Sequence, residues 1–555
     1  MKHIKLIAIP ILATLLGGGA YSSHAQDAVL IAQQTYLKAS NTGVNDWFGG
    51  SVAISGDTMV IGADPGGGVT PNYGAAYVFV RNGTNWSQQA YLKASNTGEG
   101  DGFGFSAAVS GDTVVIGAPL ESSNATGVNG NQSNNLASSS GAAYVFVRDG
   151  TNWSQQAYLK ASNTGGDDYF GAYVAISGDT VVVGAWGEDS SATGVNGNQS
   201  NNSVFNAGAA YVFVRDGRNW SQQAYLKASN PGINDEFGLV AISGDTVVVG
   251  ADGEASNATG VNGNQSDNSA SYAGAAYVFV RSGTNWSQQA YLKASNTGAR
   301  DEFGLAVAVS GDTIVVASPH EDSDGIGVNG NQGNDRAVDS GAAYIFVRSG
   351  TNWTQQAYLK ASNAEARDEV AGVAISDDVV VVGGGDDSNA TGVNGDQSNN
   401  TVTDSGAAYV FLRMGTNWTQ QAYLKASNPG ANDFFSVSVA VSGGTVVLGA
   451  PGEDSNATGV NGNQTNNSAT DSGAAYVFTG LGPAAPQLAI EQSADNVRIL
   501  WPLSASNFVL DETNDLKASP ISWTPVPFPY QTNATDVAVT LPLAAGNKFY
   551  RLRKP

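Results

Sequence analysis

The chain has 555 residues, 70 glycines, no cysteine and a formal net charge of −23. The lack of cysteine excludes a disulfide scaffold and any His/Cys metal cluster. The acidic excess excludes binding to nucleic acid or to anionic membrane surfaces, and 41% apolar residues leave enough material for a buried core.

Residues 1–25 read as a secretory signal peptide. Lys2 and Lys5 precede an apolar run from Leu6 to Ala20, and Ser23-His24-Ala25 offers a small-x-small cleavage site. Pro10 and three consecutive glycines interrupt the run, which argues against a retained membrane helix, and no later stretch approaches membrane length. Cleavage removes two lysines and no acid, so −23 becomes −25 in the mature chain.

Repeats follow. Tyr-Leu-Lys-Ala-Ser begins at Tyr36, Tyr91, Tyr158, Tyr225, Tyr291, Tyr358 and Tyr423, spaced by 55, 67, 67, 66, 67 and 65 residues. Gly-Ala-Ala-Tyr also occurs seven times, from Gly74 to Gly473. A period of this size marks repeated supersecondary units. In the third copy Val174–Ile176 and Val181–Ala185 flank a Gly178-Asp179 link, which reads as a tight hairpin. A polar loop from Trp186 to Ala207 comes next, then alternating strands over Ala210–Arg215 and Ser221–Lys227. Each unit is expected to be a four-stranded antiparallel sheet.

Seven such sheets suit an all-β, seven-bladed β-propeller over 33–480. The ends support closure. Gln33–Lys38 is a fourth strand without its first three, and Gly473–Phe478 is a third strand without its fourth. Pairing them, with residues 33–40 set against the strand around Tyr476, completes the seventh blade. A linker over 481–486 and a C-terminal β-module over 487–555, with a sandwich-like set of short strands, end the chain.

Phe48-Gly49, Phe103-Gly104, Phe170-Gly171, Phe237-Gly238 and Phe303-Gly304 open five copies, Gly117-Ala118-Pro119 and Gly449-Ala450-Pro451 end second strands, and Tyr-Val-Phe follows. This pattern resembles the FG-GAP repeats of the integrin alpha-subunit β-propeller and its bacterial relatives. Copy six departs most, with Val370-Ala371 and Gly383-Gly384-Gly385 in place of the motifs. The resemblance implies an extracellular binding or adhesion role and a ligand face formed by second-to-third and fourth-to-first loops. It also implies calcium loops between first and second strands. Here that position holds only four residues, such as Ser110-Gly111-Asp112-Thr113, too few to wrap a cation that takes six to eight oxygens.

The long second-to-third loops carry the other candidates. Asp454-Ser455-Asn456-Ala457-Thr458-Gly459 mimics the start of a calcium loop, and Asp322-Ser323-Asp324 sets two carboxylates close together. Calcium held by Asp322, Asp324, Asp454, Asn456 and Thr458 is one reading; the other is a structured polar loop. With Asp189, Asp387, Trp186 and His320, the loops are expected to form a broad acidic crown facing an extracellular protein or glycan. Three further expectations concern recurring residues. An Asp two residues before each Phe position, Asp46 to Asp433, caps a turn. A Lys from Lys38 to Lys425 sits solvated on the outer strand. Six Trp, from Trp86 to Trp418, pack between neighbouring outer strands, with carbohydrate stacking as the rival. Only His320 remains after the signal peptide, so a Ser-His-Asp or Cys-His centre has little to draw on and no enzyme is expected. A carboxylate-based polysaccharide-active enzyme and a structural surface component are the competing classes.

Overall fold

A computed structural model describes residues 31–64, 73–482, 488–492, 496–502, 508–513, 522–527, 529–533, 536–542 and 548–553. The expected signal peptide and most of the expected linker fall outside these residues. Seven four-stranded antiparallel units run along residues 32–479, one of them with a two-residue fifth strand. In blade 3 the strands are Tyr173–Ser177, Thr180–Ala185, Ala209–Asp216 and Asn219–Leu226, ordered as in sequence. The Gly-Asp link is the expected hairpin, with Ser177 opposite Thr180 and Gly178 at φ 57°.

The first strand of each blade packs on the first strands of both neighbours, and the seventh meets the first again. First strands are therefore innermost and border the axis. The second and third strands are buried on both faces, which explains their near-continuous apolar sequence, for example Thr-Val-Val-Val-Gly-Ala at 180–185. The two ends of the array join as the sequence requires: Ala32–Leu37 pairs with Ala474–Thr479, and Tyr36 lies opposite Tyr476. The seventh blade is thus made of both ends, leaving its third strand without a free edge.

Within each blade but the sixth, aromatic side chains interlock around a phenylalanine. Phe170 meets Tyr211 and Phe213 edge-on at 5.4 and 6.1 Å between centroids, and blades 1, 2, 4, 5 and 7 repeat this. Glycine is required where Phe-Gly meets the neighbouring blade. A Cβ on Gly171, at φ 94°, would stand 2.2 Å from Ala142 O. In blade 6, Val370 occupies the Phe position and is buried. The Trp indoles pack between outer strands as expected: Trp220 Nε1 donates to Gln156 of the preceding blade at 2.8 Å, and Arg215 covers the ring at 5.3 Å. Trp353 is 4% exposed and bonds Gln289 in the same way, and Trp86, Trp286 and Trp418 are equally buried, so these rings offer no stacking surface to a glycan; Trp153 is half-buried.

The propeller unit spans Ile31–Gly482. Among its described residues, the C-terminal module holds two small antiparallel sheets, one built on Asn496–Pro502 and Asp536–Pro542, the other on Val509–Thr513 and Phe549–Arg553. Trp501, Leu510 and Val539 are in its core. The short strands Thr524–Pro525 and Gln531–Thr532 carry no sequence signal of their own.

Candidate functional site

In an antiparallel blade, the end of the second strand, the start of the first and the long loop all lie at one end. That end begins with a buried ionic network. In blade 3 a turn closed by Glu188 N to Ala185 O directs the Glu188 side chain inward. Its Oε2 is 2.8 Å from Lys227 Nζ. Its Oε1 accepts from Tyr225 OH and Asn163 Nδ2, both at 2.9 Å. Ser190 Oγ, the second position of the calcium-like run, is 2.5 Å from Tyr225 OH. Lys227 and Glu188 are 0% and 1% exposed. Burial pulls the Lys227 ammonium below its usual range, opposed by Glu188 beside it. The same pair recurs as Lys38–Glu453, Lys160–Glu121, Lys293–Glu254, Lys360–Glu321 and Lys425–Asp386.

This corrects the expectation of solvated lysines. Six of the seven are buried ion-pair partners; Lys93, in the blade without a long loop, is half-buried and donates to Gly74 O. The sequence signal was available: each long loop has an acid at one fixed position, and the short loop has none there.

Beyond the acid the loop folds outward over its own blade. Lys227 N donates to Gly194 O and Asn196 N to Tyr225 O, both at 2.8 Å, while Asn196 Oδ1 accepts from Tyr225 N. The loop thereby covers the exposed edge of the fourth strand. Its acidic residues are engaged locally. Asp189, Asp322, Asp387 and Asp454 each accept a backbone N–H seventeen residues on, at 2.8–2.9 Å. Asp324 accepts from Asn334 Nδ2 at 2.7 Å, and Asn456 and Thr458 are exposed. The loops therefore lie against their blades instead of projecting as a crown, and among the described residues no group of three or more His, Asp or Glu is placed to hold a metal ion.

The recurring Asp is the expected turn cap. Asp168 accepts Gly165 N and Asp235 accepts Gly232 N, both at 2.6 Å. Burial is the main force raising these carboxyls, with nearby acids adding to it. Asp168, Asp235, Asp301, Asp368 and Asp433 reach about 7, and Asp101 about 6.

Next to each cap stands the residue that enters the innermost strand: Trp47, Gly102, Tyr169, Glu236, Glu302, Glu369 and Phe434. The six other than Gly102 all adopt positive φ, from 35° to 57°. Each of those six is tied by its backbone N–H to the loop of the preceding blade, as in Tyr169 N to Ser139 O at 3.0 Å. Strained backbone at six non-glycine positions persists only where the surroundings over-determine it. These positions ring the axis at the long-loop end of the innermost strands, the mouth of the ring, and they do not repeat. Blades 7, 1 and 3 present Phe434, Trp47 and Tyr169; blades 4, 5 and 6 present glutamates.

The residue after the second strand extends a wall in two blades, Trp186 in blade 3 and Asp252 in blade 4; in blade 1 it is the buried Asp64. Trp186 stacks flat on Tyr169, 4.4 Å between centroids at 4°. Asp252 joins Glu236 and Glu302, and its Oδ1 is buried without a hydrogen-bond partner. Burial, then Glu236 and Glu302, push the Asp252 carboxyl up to about 7; Glu236 and Glu302 are raised as well, chiefly by burial. His320 sits in this wall, Nε2 3.2 Å from Glu302 and Nδ1 3.3 Å from Asp339, with Glu369 at 4.0 Å. Of the sequence candidates, the structure brings Trp186 and His320 to the mouth and leaves Asp189, Asp322, Asp387 and Asp454 as loop clamps. The residues beside the caps, Trp47 to Phe434, were missed by sequence reasoning. Their signal is the failure to repeat between an invariant Asp and an almost invariant Phe.

Seven antiparallel sheets closed about an axis define a β-propeller. The FG-GAP repeat profile matches residues 31–79, 86–146, 153–213, 220–279, 286–346 and 418–478, more than half of the chain, and the chain belongs to the FG-GAP repeat family. The unmatched blade is the sixth, where Phe-Gly is lost. Comparison with curated protein sequences gave no match. Among solved structures, Sqt1 of Saccharomyces cerevisiae is similar at a TM-score of 0.38 and 8% identity, over 81% of this chain and 99% of that one.

Proposed function

We propose that this chain is an extracellular binding or adhesion protein that contacts its partner through the long-loop face, centred on the channel mouth. One observation carries the reading. The blades repeat nearly residue for residue, yet the positions that ring the mouth on that face differ from blade to blade. A repeated frame satisfies packing, and a non-repeating rim held on strained backbone tied to the preceding blade suits recognition. FG-GAP membership supports an extracellular role, and the acidic surface favours cationic partners over nucleic acid. Binding is preferred to catalysis because the one histidine of the mature chain is held between Glu302 and Asp339. Calcium is not needed for this reading, since the loop carboxylates already clamp their own backbone. The test is an array of extracellular proteins and glycans probed with mature protein and with a Trp47→Ala/Glu302→Gln variant. A ligand retained equally by both places recognition elsewhere, and no ligand for either removes the reading.

A further inference from the structure

The mouth has two unlike walls on opposite arcs of one ring. The aromatic arc runs from blade 7 to blade 3. Phe434 and Trp47 are 46% and 42% exposed, and the Tyr169–Trp186 stack completes it. Gly102 leaves a gap within that arc, where a Cβ would meet Asp64 and Pro119 at 3.3 Å. The acidic arc spans blades 4 to 6 with Glu236, Asp252, Glu302, Asp339 and Glu369. Among the described residues the one basic side chain paired to it is His320. Arg300 and Arg367 are exposed on the neighbouring turns.

Each wall constrains the ligand. Flat, half-exposed rings bind apolar ring faces. Crowded carboxylates with a buried unpartnered oxygen call for positively charged donors. Neutral sugar would leave the acidic arc uncompensated. Oligolysine would satisfy it but has no ring faces to lay on the flat side chains across three blades. One ammonium cannot reach both arcs, so the ligand carries sugar-like faces and positive charge along its length. Resting on the binding role assigned to this mouth, we infer that its ligand is a polymer of amino sugars bearing free ammonium groups. The rings stack on Trp47 and Trp186, and the ammonium groups pair with Glu236, Asp252 and Glu302. The negative field of the mature chain draws such a polymer in, so binding weakens with added salt.

The test uses the mature full-length protein in calorimetric titrations with three probes of matched length: a glucosamine oligomer, its fully N-acetylated counterpart, and oligolysine. The glucosamine oligomer is expected to bind, with the other two weaker by about tenfold or more. Trp186→Ala and Glu302→Gln are each expected to weaken it by about tenfold, with thermal melting of both variants checked against the parent. Equal affinity for the acetylated oligomer overturns the role of the acidic arc, equal affinity for oligolysine overturns the sugar, and no binding of the glucosamine oligomer overturns the proposal. A different ligand that is captured on the array and lost with the mouth variant would leave the binding function standing while this ligand class fell.

Discussion

Blade 1 and blade 3 share their strand sequences almost residue for residue, but only blade 3 has the long loop. In blade 3, Tyr225 and Lys227 are 0% exposed, closed in by Glu188 and Ser190. In blade 1 the same two positions, Tyr91 and Lys93, are 46% exposed and half-buried. The strand phrase is therefore compatible with two environments, and the loop decides which one is realised. By supplying both cover and counter-charge, it converts a surface lysine into a core residue. That the short-loop blade keeps its sheet shows that the network fastens the loop to the blade instead of creating the blade.

The sharpest break is Glu188→Ala. It leaves Lys227 charged and buried, and a loss of about 3–5 kcal/mol in unfolding free energy is expected by denaturant titration. Replacing both partners, Glu188→Leu with Lys227→Met, is expected to cost less than Glu188→Ala alone, because no orphan charge remains. Recovery of nothing in the double variant would contradict the charge argument. Ser190→Ala, which removes one hydroxyl from Tyr225, is expected to cost about 1 kcal/mol. Lys93→Met in blade 1 should change stability by under about 1 kcal/mol, since that lysine has no buried acid to strand; a loss as large as that of Glu188→Ala would erase the contrast.

The turn caps add a pH dependence. Their folded carboxyls are raised above the ordinary Asp value of 3.8, to about 6 for Asp101 and about 7 for Asp168. The folded state then binds more protons than the unfolded state between these values. Stability from the caps is complete below the unfolded value and is lost as pH rises through 6 to 7. Melting temperature is expected to be higher at pH 5.5 than at pH 8. An Asp168→Asn variant, already neutral, should show a slightly flatter profile.

Much of this fold was legible because it rests on local periodicity. The alternation around Tyr211 and the Gly178 turn gave strands within two residues of their observed ends, and the orphan strand at Gln33 gave the closure. The Trp and Asp roles followed from position within a strand or turn. The buried lysine network was not legible from any local window: Lys227 and Glu188 are 39 residues apart, and a lysine in an alternating strand reads as surface until its partner is placed. The mouth was hidden for another reason. Reading by repetition favours what recurs, whereas Trp47, Tyr169 and Glu302 matter because they do not.

The clasp formed by Tyr36 and Tyr476 also sets an order of events. A ribosome makes residues 32–37 first, yet their partner lies 440 positions later in the chain. Bringing such distant points together costs about 5 kcal/mol of chain entropy on a simple logarithmic estimate. Six blades can form during synthesis, and the last waits for both ends. A rearranged chain that starts at Phe48 and carries 32–40 after Thr479 turns this longest contact into a local hairpin, and should refold faster to the same ring.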